Sequence, residues 1–206
     1  MGWSERHAFD HIARLAAAGF LTRVPMTRGD GSLLVVTKDG AAMAGFGHLG
    51  APRSVAPTTW AHASATAWVA ASFDLSNRSW VSERELRHDP RWDAAVTYKT
   101  GEGGTRTVRH RPDLGSVVAG ERPLAIEVEL QQKSTHRLRG ILAMYERRIA
   151  DGQLGRVLYV TGPENVHNAI VKQAAVVGLT NGLRTVTLDA LITQTRKSAS
   201  APKVSA

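Results

Sequence analysis

The chain has no cysteine among its 206 residues. This absence excludes a disulfide-bonded scaffold, a zinc site with thiolate ligands and a cysteine nucleophile. Long apolar runs are also missing. Residues 54–73 carry no formal charge, but they include Pro57, His62 and several Ser and Thr without any Leu or Ile, which is too polar for a membrane-spanning helix. The N-terminus lacks the basic and apolar regions of a signal peptide. These features predict a cytoplasmic protein without a membrane partner.

The charge that is present is unevenly distributed. The net charge is +8 and hydrophobic residues make up 43%, so the chain can bury a core and still present cations to an anionic partner. Residues 54–133 contain ten Lys/Arg and ten Asp/Glu, whereas residues 134–206 contain ten Lys/Arg and four Asp/Glu. A carboxylate-rich centre followed by a basic third favours DNA as the partner over an anionic membrane, which does not require the carboxylates.

Residues 1–50 predict a small N-terminal module. An amphipathic helix over 4–19 is followed by two short apolar runs within 20–37, on either side of an Asp-Gly turn, which predict a β-hairpin. A short helix is predicted at 38–44. One helix and a hairpin form an incomplete winged helix, so we expect either a truncated chain start or a homodimer that completes the module. The alternative is a small α+β cap without DNA contact.

Residues 58–192 predict a second domain of the α/β (α+β) class. The order of elements indicates a mixed sheet flanked by helices, and residues 193–206, rich in Ser, Ala and Lys, are predicted to be a disordered tail. The predicted helices cover residues 58–75, 134–151 and 163–178, and the predicted strands cover residues 80–86, 94–99, 105–111, 124–131, 156–161 and 183–188.

The most informative segment is a strand in which polar and apolar residues alternate. Alternation places Glu127, Glu129 and Gln131 on one face, and buried carboxylates are costly unless cations or a metal pair with them. Asp113 lies fourteen positions before Glu127, a gap that suits an adjacent strand joined by a turn. The three acidic residues would then converge on a hard divalent cation such as Mg²⁺, with Lys133 just beyond the strand.

A solvent-exposed edge strand is the alternative interpretation of this alternation. Two features favour chemistry instead: predicted elements lie on both sides of the strand, and the next helix begins after Ser134 and carries Arg137 and Arg139, which suit phosphate groups. His110 and His136 flank the acidic residues and are interpreted as polar neighbours.

The acidic segment resembles the core of the PD-(D/E)xK nuclease superfamily. The resemblance rests on Pro112-Asp113, on Glu127-Val128-Glu129, and on Lys133 followed by a helix with arginines. The chain as a whole is similar to the replication-relaxation family of bacterial mobile elements, which couples a winged-helix module to a nuclease-like domain. The segments that carry this second similarity are residues 14–21, 36–40, 80–86 and 111–133.

The resemblance implies specific roles at the acidic end. Asp113 and Glu127 correspond to ligands of Mg²⁺ (or Mn²⁺), Glu129 occupies the third acidic position, and Lys133 corresponds to a displaced catalytic lysine. The superfamily has Lys where this chain has Glu129, so retention of DNA cleavage is left open. Glu83 or Glu85 corresponds to the acidic residue that some superfamily members carry before the core. Gln131 is a further candidate for an accessory role, and Arg137 and Arg139 are expected to bind the DNA backbone.

Three functions remain open from the sequence. The first is a DNA-binding mobile-element protein that hydrolyses phosphodiesters with Mg²⁺. The second is a catalytically inactive nuclease fold that serves as a DNA-binding regulator or a replication or conjugation accessory protein, its carboxylates paired with neighbouring arginines. The third is a protein-interaction module whose basic charge only aids solubility.

Overall fold

The computed structural model describes residues 5–25, 32–51, 56–101 and 103–200. The chain divides into two units, one formed by residues 1–64 with 199–206 and the other by residues 65–198. The elements are mixed α and β, as the sequence predicts. Within the described ranges, no helix has the length and apolar character that crossing a bilayer requires.

The first unit contains the predicted helix, hairpin and short helix. Their bounds are α1 (Glu5–Ala17), β1 (Leu21–Pro25), β2 (Ser32–Val36) and α2 (Lys38–Met43). Gly19, with a φ of +78°, follows α1, in the left-handed conformation that glycine adopts readily after a helix. Thr37 caps α2: its hydroxyl accepts the Gly40 N–H at 3.1 Å and donates to the Gly19 carbonyl at 2.6 Å. The predicted Asp-Gly turn falls outside the described residues.

The strands of the second unit are β3 (Val81–Ser82), β4 (Ala94–Lys99), β5 (Thr105–His110), β6 (Leu114–Ser116), β7 (Leu124–Glu129), β8 (Arg156–Thr161) and β9 (Leu183–Thr187). Five of them form a mixed sheet in the order β3-β6-β7-β8-β9. Pairs β3–β6 and β6–β7 are antiparallel, and pairs β7–β8 and β8–β9 are parallel. The helices are α3 (Trp60–Leu75), α4 (Glu83–Leu86), α5 (Thr135–Ala150), α6 (Glu164–Val177) and α7 (Leu188–Ser200).

Apolar side chains cover both faces of this sheet. On one face Ala125 packs in a cluster with residues of α5 and α6, and on the other face Ile126 and Val128 pack in a cluster with residues of α3 and α7. Because successive residues of β7 point to opposite faces, Glu127 and Glu129 lie on the same face as Ala125. The two carboxylates are therefore directed toward the α5 side of the sheet.

The predicted strand over residues 80–86 is wrong beyond its first residues. The Ser82 hydroxyl accepts the Glu85 N–H at 3.3 Å, and the Glu85 carboxylate accepts the Ser82 N–H at 2.8 Å. These two bonds form a capping box, which satisfies backbone N–H groups at a helix start. The chain consequently turns into α4 after two residues of strand.

The predicted disordered tail is also wrong for residues 193–200, which continue α7. Leu191 and Thr195 are buried one turn apart on this helix, and the Arg196 guanidinium lies 5.4 Å from the ring centre of Trp68. A buried face and a cation–π contact hold a segment whose composition alone suggests disorder. Residues 201–206 fall outside the described residues.

Strands β4 and β5 form a separate antiparallel ribbon that packs on α5. Gly140 of α5 permits this packing, because a Cβ atom there would lie 3.0 Å from the Thr97 carbonyl oxygen and 3.2 Å from Tyr98 Cβ. The last residue of the ribbon is His110. The close approach of the ribbon to α5 therefore determines where the His110 imidazole lies.

Substitution Gly140→Ala should destabilise the protein. The added methyl group would force the ribbon away from α5, and overpacking of this kind costs about 1–3 kcal/mol, partly offset by about 1 kcal/mol of improved helix propensity. Urea denaturation followed by circular dichroism measures the change. Gly101→Ala is the control, since a Cβ atom there meets nothing within 4 Å; equal stability of the two variants would contradict the close packing.

Candidate acidic site at the end of the central strand

The predicted acidic strand is the centre of the sheet. Strand β7 lies between β6 and β8, and Glu127 and Glu129 are only 5% and 7% exposed. The edge-strand interpretation is therefore wrong. Buried carboxylates need partners, and the structure supplies them from three separate parts of the chain.

The Glu127 carboxylate is bound by the side chains of His110 and Tyr145. Its Oε1 atom lies 2.7 Å from His110 Nε2 and also accepts a hydrogen bond from the Tyr145 hydroxyl. His110 comes from the ribbon and Tyr145 from α5, and their rings meet edge to face. Burial first, and then the charge of Glu127, raises the pKa of Tyr145 well above its usual value. The phenol therefore stays protonated and able to donate.

Asp113 lies immediately before β6, the strand that pairs with β7, so it is close to Glu127 but is not itself a strand residue. Its N–H donates to the Ile126 carbonyl at 3.1 Å, and its Oδ2 accepts the Val128 N–H at 2.7 Å. Strand β6 begins only at Leu114, so it does not extend far enough to pair with Val128. The Asp113 side chain accepts the Val128 N–H in place of a strand neighbour. The carboxylate is thereby fixed beside the end of β7.

Lys133 connects the acidic residues. Its ammonium forms an ion pair with Glu129, four residues earlier. The pKa of Lys133 is lowered, chiefly by desolvation and also by Arg137, although the charges of Glu127 and Asp113 act to raise it. One ammonium thus interacts with all three predicted acidic positions.

The expected pairing with arginines is not found for Glu127 and Glu129. Among the described residues, Glu127 is bound by His110 and Tyr145, and Glu129 is paired with Lys133. The reason is geometric: lysine follows β7 within reach of Glu129, whereas the arginines of α5 lie further along the chain.

The predicted phosphate-binding arginines have different surroundings. Arg137 is exposed at the first turn of α5 and close enough to Lys133 to affect its pKa. Arg139, in contrast, donates from Nε to Gln173 Oε1 of α6 at 2.5 Å. Arg137 is therefore the better placed of the two to contact a ligand at the acidic end.

The predicted accessory residues have local roles. Glu85 is the capping residue of α4, and Glu83 forms an exposed ion pair with Arg87 at 2.6 Å. Gln131 is exposed beyond Glu129, where β7 ends, so it does not continue the acidic face of the strand.

Sequence reasoning missed the role of Tyr145. The residue falls on the apolar stripe of α5 and is interpreted as core, which it is. A buried tyrosine hydroxyl normally needs a hydrogen-bond partner, and the nearby buried carboxylate is the group that requires a donor. The need of a buried tyrosine hydroxyl for a partner is therefore the sequence signal from which the bond to Glu127 could have been predicted.

The donor types at the site suit a hard divalent cation, because carboxylate oxygens are the ligands that Mg²⁺ prefers. In the part of the chain that the structure describes, however, no three His, Asp or Glu side chains are grouped as a metal site. Lys133 occupies the position of counter-ion to Glu129. A cation at this end would therefore compete with the ammonium for the same carboxylate.

Comparisons of the chain with family models, with curated proteins and with solved structures find no match. Membership of the replication-relaxation family therefore stays a prediction that rests on the motifs.

Substitution Tyr145→Phe should destabilise the protein by about 1–3 kcal/mol, because the buried Glu127 carboxylate loses a donor. Tyr159→Phe is the matched control. Its ring is as deeply buried, but the described residues give its hydroxyl no hydrogen bond, so we expect a cost below about 1 kcal/mol. Urea denaturation at pH 7 measures both. Equal costs would show that the Tyr145 hydroxyl bond contributes nothing specific.

Alkaline pH should weaken the fold through two tyrosines. Burial raises the pKa of both Tyr145 and Tyr159 in the folded state, whereas in the unfolded chain both titrate near pH 10. Their contribution to stability is complete below pH 10 and is lost as the pH rises above it. Absorbance at 295 nm should therefore show a late phenolate phase that coincides with unfolding. A double Phe variant should lack this phase, and early ionisation of both rings would contradict their burial.

Proposed function

We propose that this chain is a DNA-binding protein of a mobile element whose second unit is a nuclease-like domain, with Mg²⁺-dependent phosphodiester hydrolysis at the acidic site. The observation that carries the proposal is the set of carboxylates around Lys133. Glu127 and Glu129 come from β7 and Asp113 from the residue before the neighbouring strand β6, and all three interact with one ammonium at the carboxyl end of the central strand.

The topology supports the same proposal. With α4 and the ribbon β4–β5 left aside, a helix, three antiparallel strands, a helix and a parallel strand occur in the order α3, β3, β6, β7, α5 and β8. This is the order expected of the PD-(D/E)xK core. Helix α4 and the ribbon lie between β3 and β6, and the ribbon carries His110 to Glu127.

The charge distribution supports DNA as the partner. The basic third of the sequence begins directly after Lys133, and Arg137 is exposed beside the acidic residues. Cationic side chains next to a carboxylate cluster provide for phosphate neutralisation on one side and cation binding on the other.

Each residue of the acidic site would have its own role in phosphodiester hydrolysis. Asp113 and Glu127 would hold the cation, which when bound would neutralise charge that develops on the phosphate oxygens. His110 and Tyr145 keep the Glu127 carboxylate oriented through Oε1. Glu129 and Lys133 would position water once DNA or the cation separates their ion pair, and a lysine with a lowered pKa exchanges a proton more readily near neutral pH.

A catalytically inactive nuclease fold that binds DNA as a regulator or accessory protein is the second candidate. One observation favours it: the contacts of Glu127 and Glu129 already satisfy these carboxylates without a cation. In this case Lys133, His110 and Tyr145 would be permanent partners that stabilise the centre of the sheet.

Calorimetric titration with Mg²⁺ and a plasmid-nicking assay together test the proposal. Wild type should bind Mg²⁺ and nick the plasmid, whereas Asp113→Ala should lose both activities by at least tenfold, because one ligand and its orientation of β7 are lost. Asp189→Ala, an exposed acidic residue on α7, is the control and should behave as wild type.

The outcomes separate the two candidates. Mg²⁺ binding and nicking that depend on Asp113 support hydrolysis. DNA binding without Mg²⁺ binding or nicking supports the inactive scaffold. If the protein shows no salt-dependent DNA binding at low ionic strength, both candidate functions are wrong.

A further inference from the structure

A second charged feature lies at the opposite end of the central strand. A cavity of about 940 Å³ is bounded by the turn after α3, the loop between β6 and β7, and the starts of β7 and β8. We call it the arginine groove. Its lining includes Leu124, the first residue of β7, whereas the acidic site is at Glu129, the last. A strand of this length spans about 17 Å at roughly 3.3 Å per residue, so the two features are separate.

Three arginines line the groove, each from a different segment: Arg78 follows α3, Arg122 precedes β7 and Arg156 begins β8. Within the described part of the chain, the hydrogen bonds and ion pairs include none from these three guanidinium groups. Of the described residues in the lining, Glu121 is the single one with a carboxylate. Three unpaired cations around one cavity repel each other, and an anion in the cavity would relieve that repulsion.

The walls of the groove are held by specific bonds. Ser79 donates its hydroxyl to the Val117 carbonyl at 2.6 Å, and Ser116 donates its hydroxyl to the Ser79 carbonyl at 2.6 Å. These bonds join the turn after α3 to the end of β6. The Arg122 guanidinium lies over Gly152, where a Cβ atom would be 3.4 Å from its central carbon. The segment that carries Arg78 is therefore fixed against the end of β6.

The chemistry of the lining indicates the class of ligand. Guanidinium groups bind phosphate through paired N–H donors, and the volume is in the range of small-ligand sites. The lining residues include no aromatic ring on which a base could stack. A ligand would therefore be bound through its phosphate groups and not through its bases.

We propose that the arginine groove is a phosphate-binding site, separate from the acidic site, that holds successive phosphate groups of a nucleic-acid strand. The DNA part of the proposed function supplies the identity of the ligand, whereas the site itself does not depend on hydrolysis. Inorganic pyrophosphate shares the recognised chemistry and therefore tests the site independently of DNA.

The test compares two triple variants with equal loss of charge. In the groove variant Arg78, Arg122 and Arg156 are each replaced by Gln. The control variant replaces three exposed cations outside the lining by Gln, namely Arg106, Arg147 and Lys172. Circular dichroism and thermal unfolding first establish that both variants are folded. Fluorescence anisotropy then measures binding of a labelled 12-nucleotide single strand between 25 and 200 mM salt, and calorimetry measures binding of pyrophosphate.

The groove variant should bind the strand at least tenfold more weakly at low salt. The slope of log Kd against the logarithm of the salt concentration should be smaller by about 2, because each of the three lost phosphate contacts contributes about 0.7 to it. The control variant should stay within about threefold of wild type. Loss of pyrophosphate binding in the groove variant alone also supports the site and, if strand binding is unchanged, assigns it to a free phosphate compound.

If the two variants have equal affinities for the single strand and for pyrophosphate, the groove is not a phosphate-binding site. Failure of the groove and failure of the proposed function can be told apart. If the groove variant binds the strand as well as wild type does, the proposed function is retained and the groove is not the site of DNA binding. A wild type that binds only pyrophosphate, through those arginines, retains the groove and loses DNA as its ligand.

Discussion

Burial of two carboxylates inside the sheet is the constraint on which the second unit depends. Glu127 and Glu129 point from the central strand into the face that α5 covers. Leaving either charge without a partner would cost several kcal/mol. Glu129 is paired with Lys133, which directly follows the strand. Glu127 is bound by donors from the ribbon and from α5, so each of these elements is connected to β7.

The ribbon illustrates the consequence. Its strands β4 and β5 do not join the main sheet, yet His110 at its end bonds Glu127 while Gly140 allows the ribbon to lie close on α5. Tyr145 on the same helix bonds the same carboxylate. Packing of the ribbon, packing of α5 and satisfaction of the carboxylate are therefore one coupled arrangement, because each places a group that the others need.

Much of this arrangement follows from local pattern. Alternation around Glu127 and Glu129 identifies the strand and its polar face. The spacing to Asp113 predicts that this residue lies close to β7, and it does, although it precedes the neighbouring strand by one residue. Patterns fail where a short-range bond or a distant contact competes with them. The bonds between Ser82 and Glu85 turn a predicted strand into a helix, and the contact of Arg196 with Trp68 keeps the C-terminal segment helical.

Composition and periodicity are local properties, and they are sufficient to predict the class of the fold, the strand that carries the acidic residues and the surplus of positive charge. Which side chains meet depends instead on the three-dimensional arrangement. Tyr145 and His110 contact one oxygen of Glu127, and Arg78, Arg122 and Arg156 line one cavity. Contacts of this kind depend on strand order and helix packing, which bring together residues that are 17 or more positions apart and that no local pattern connects.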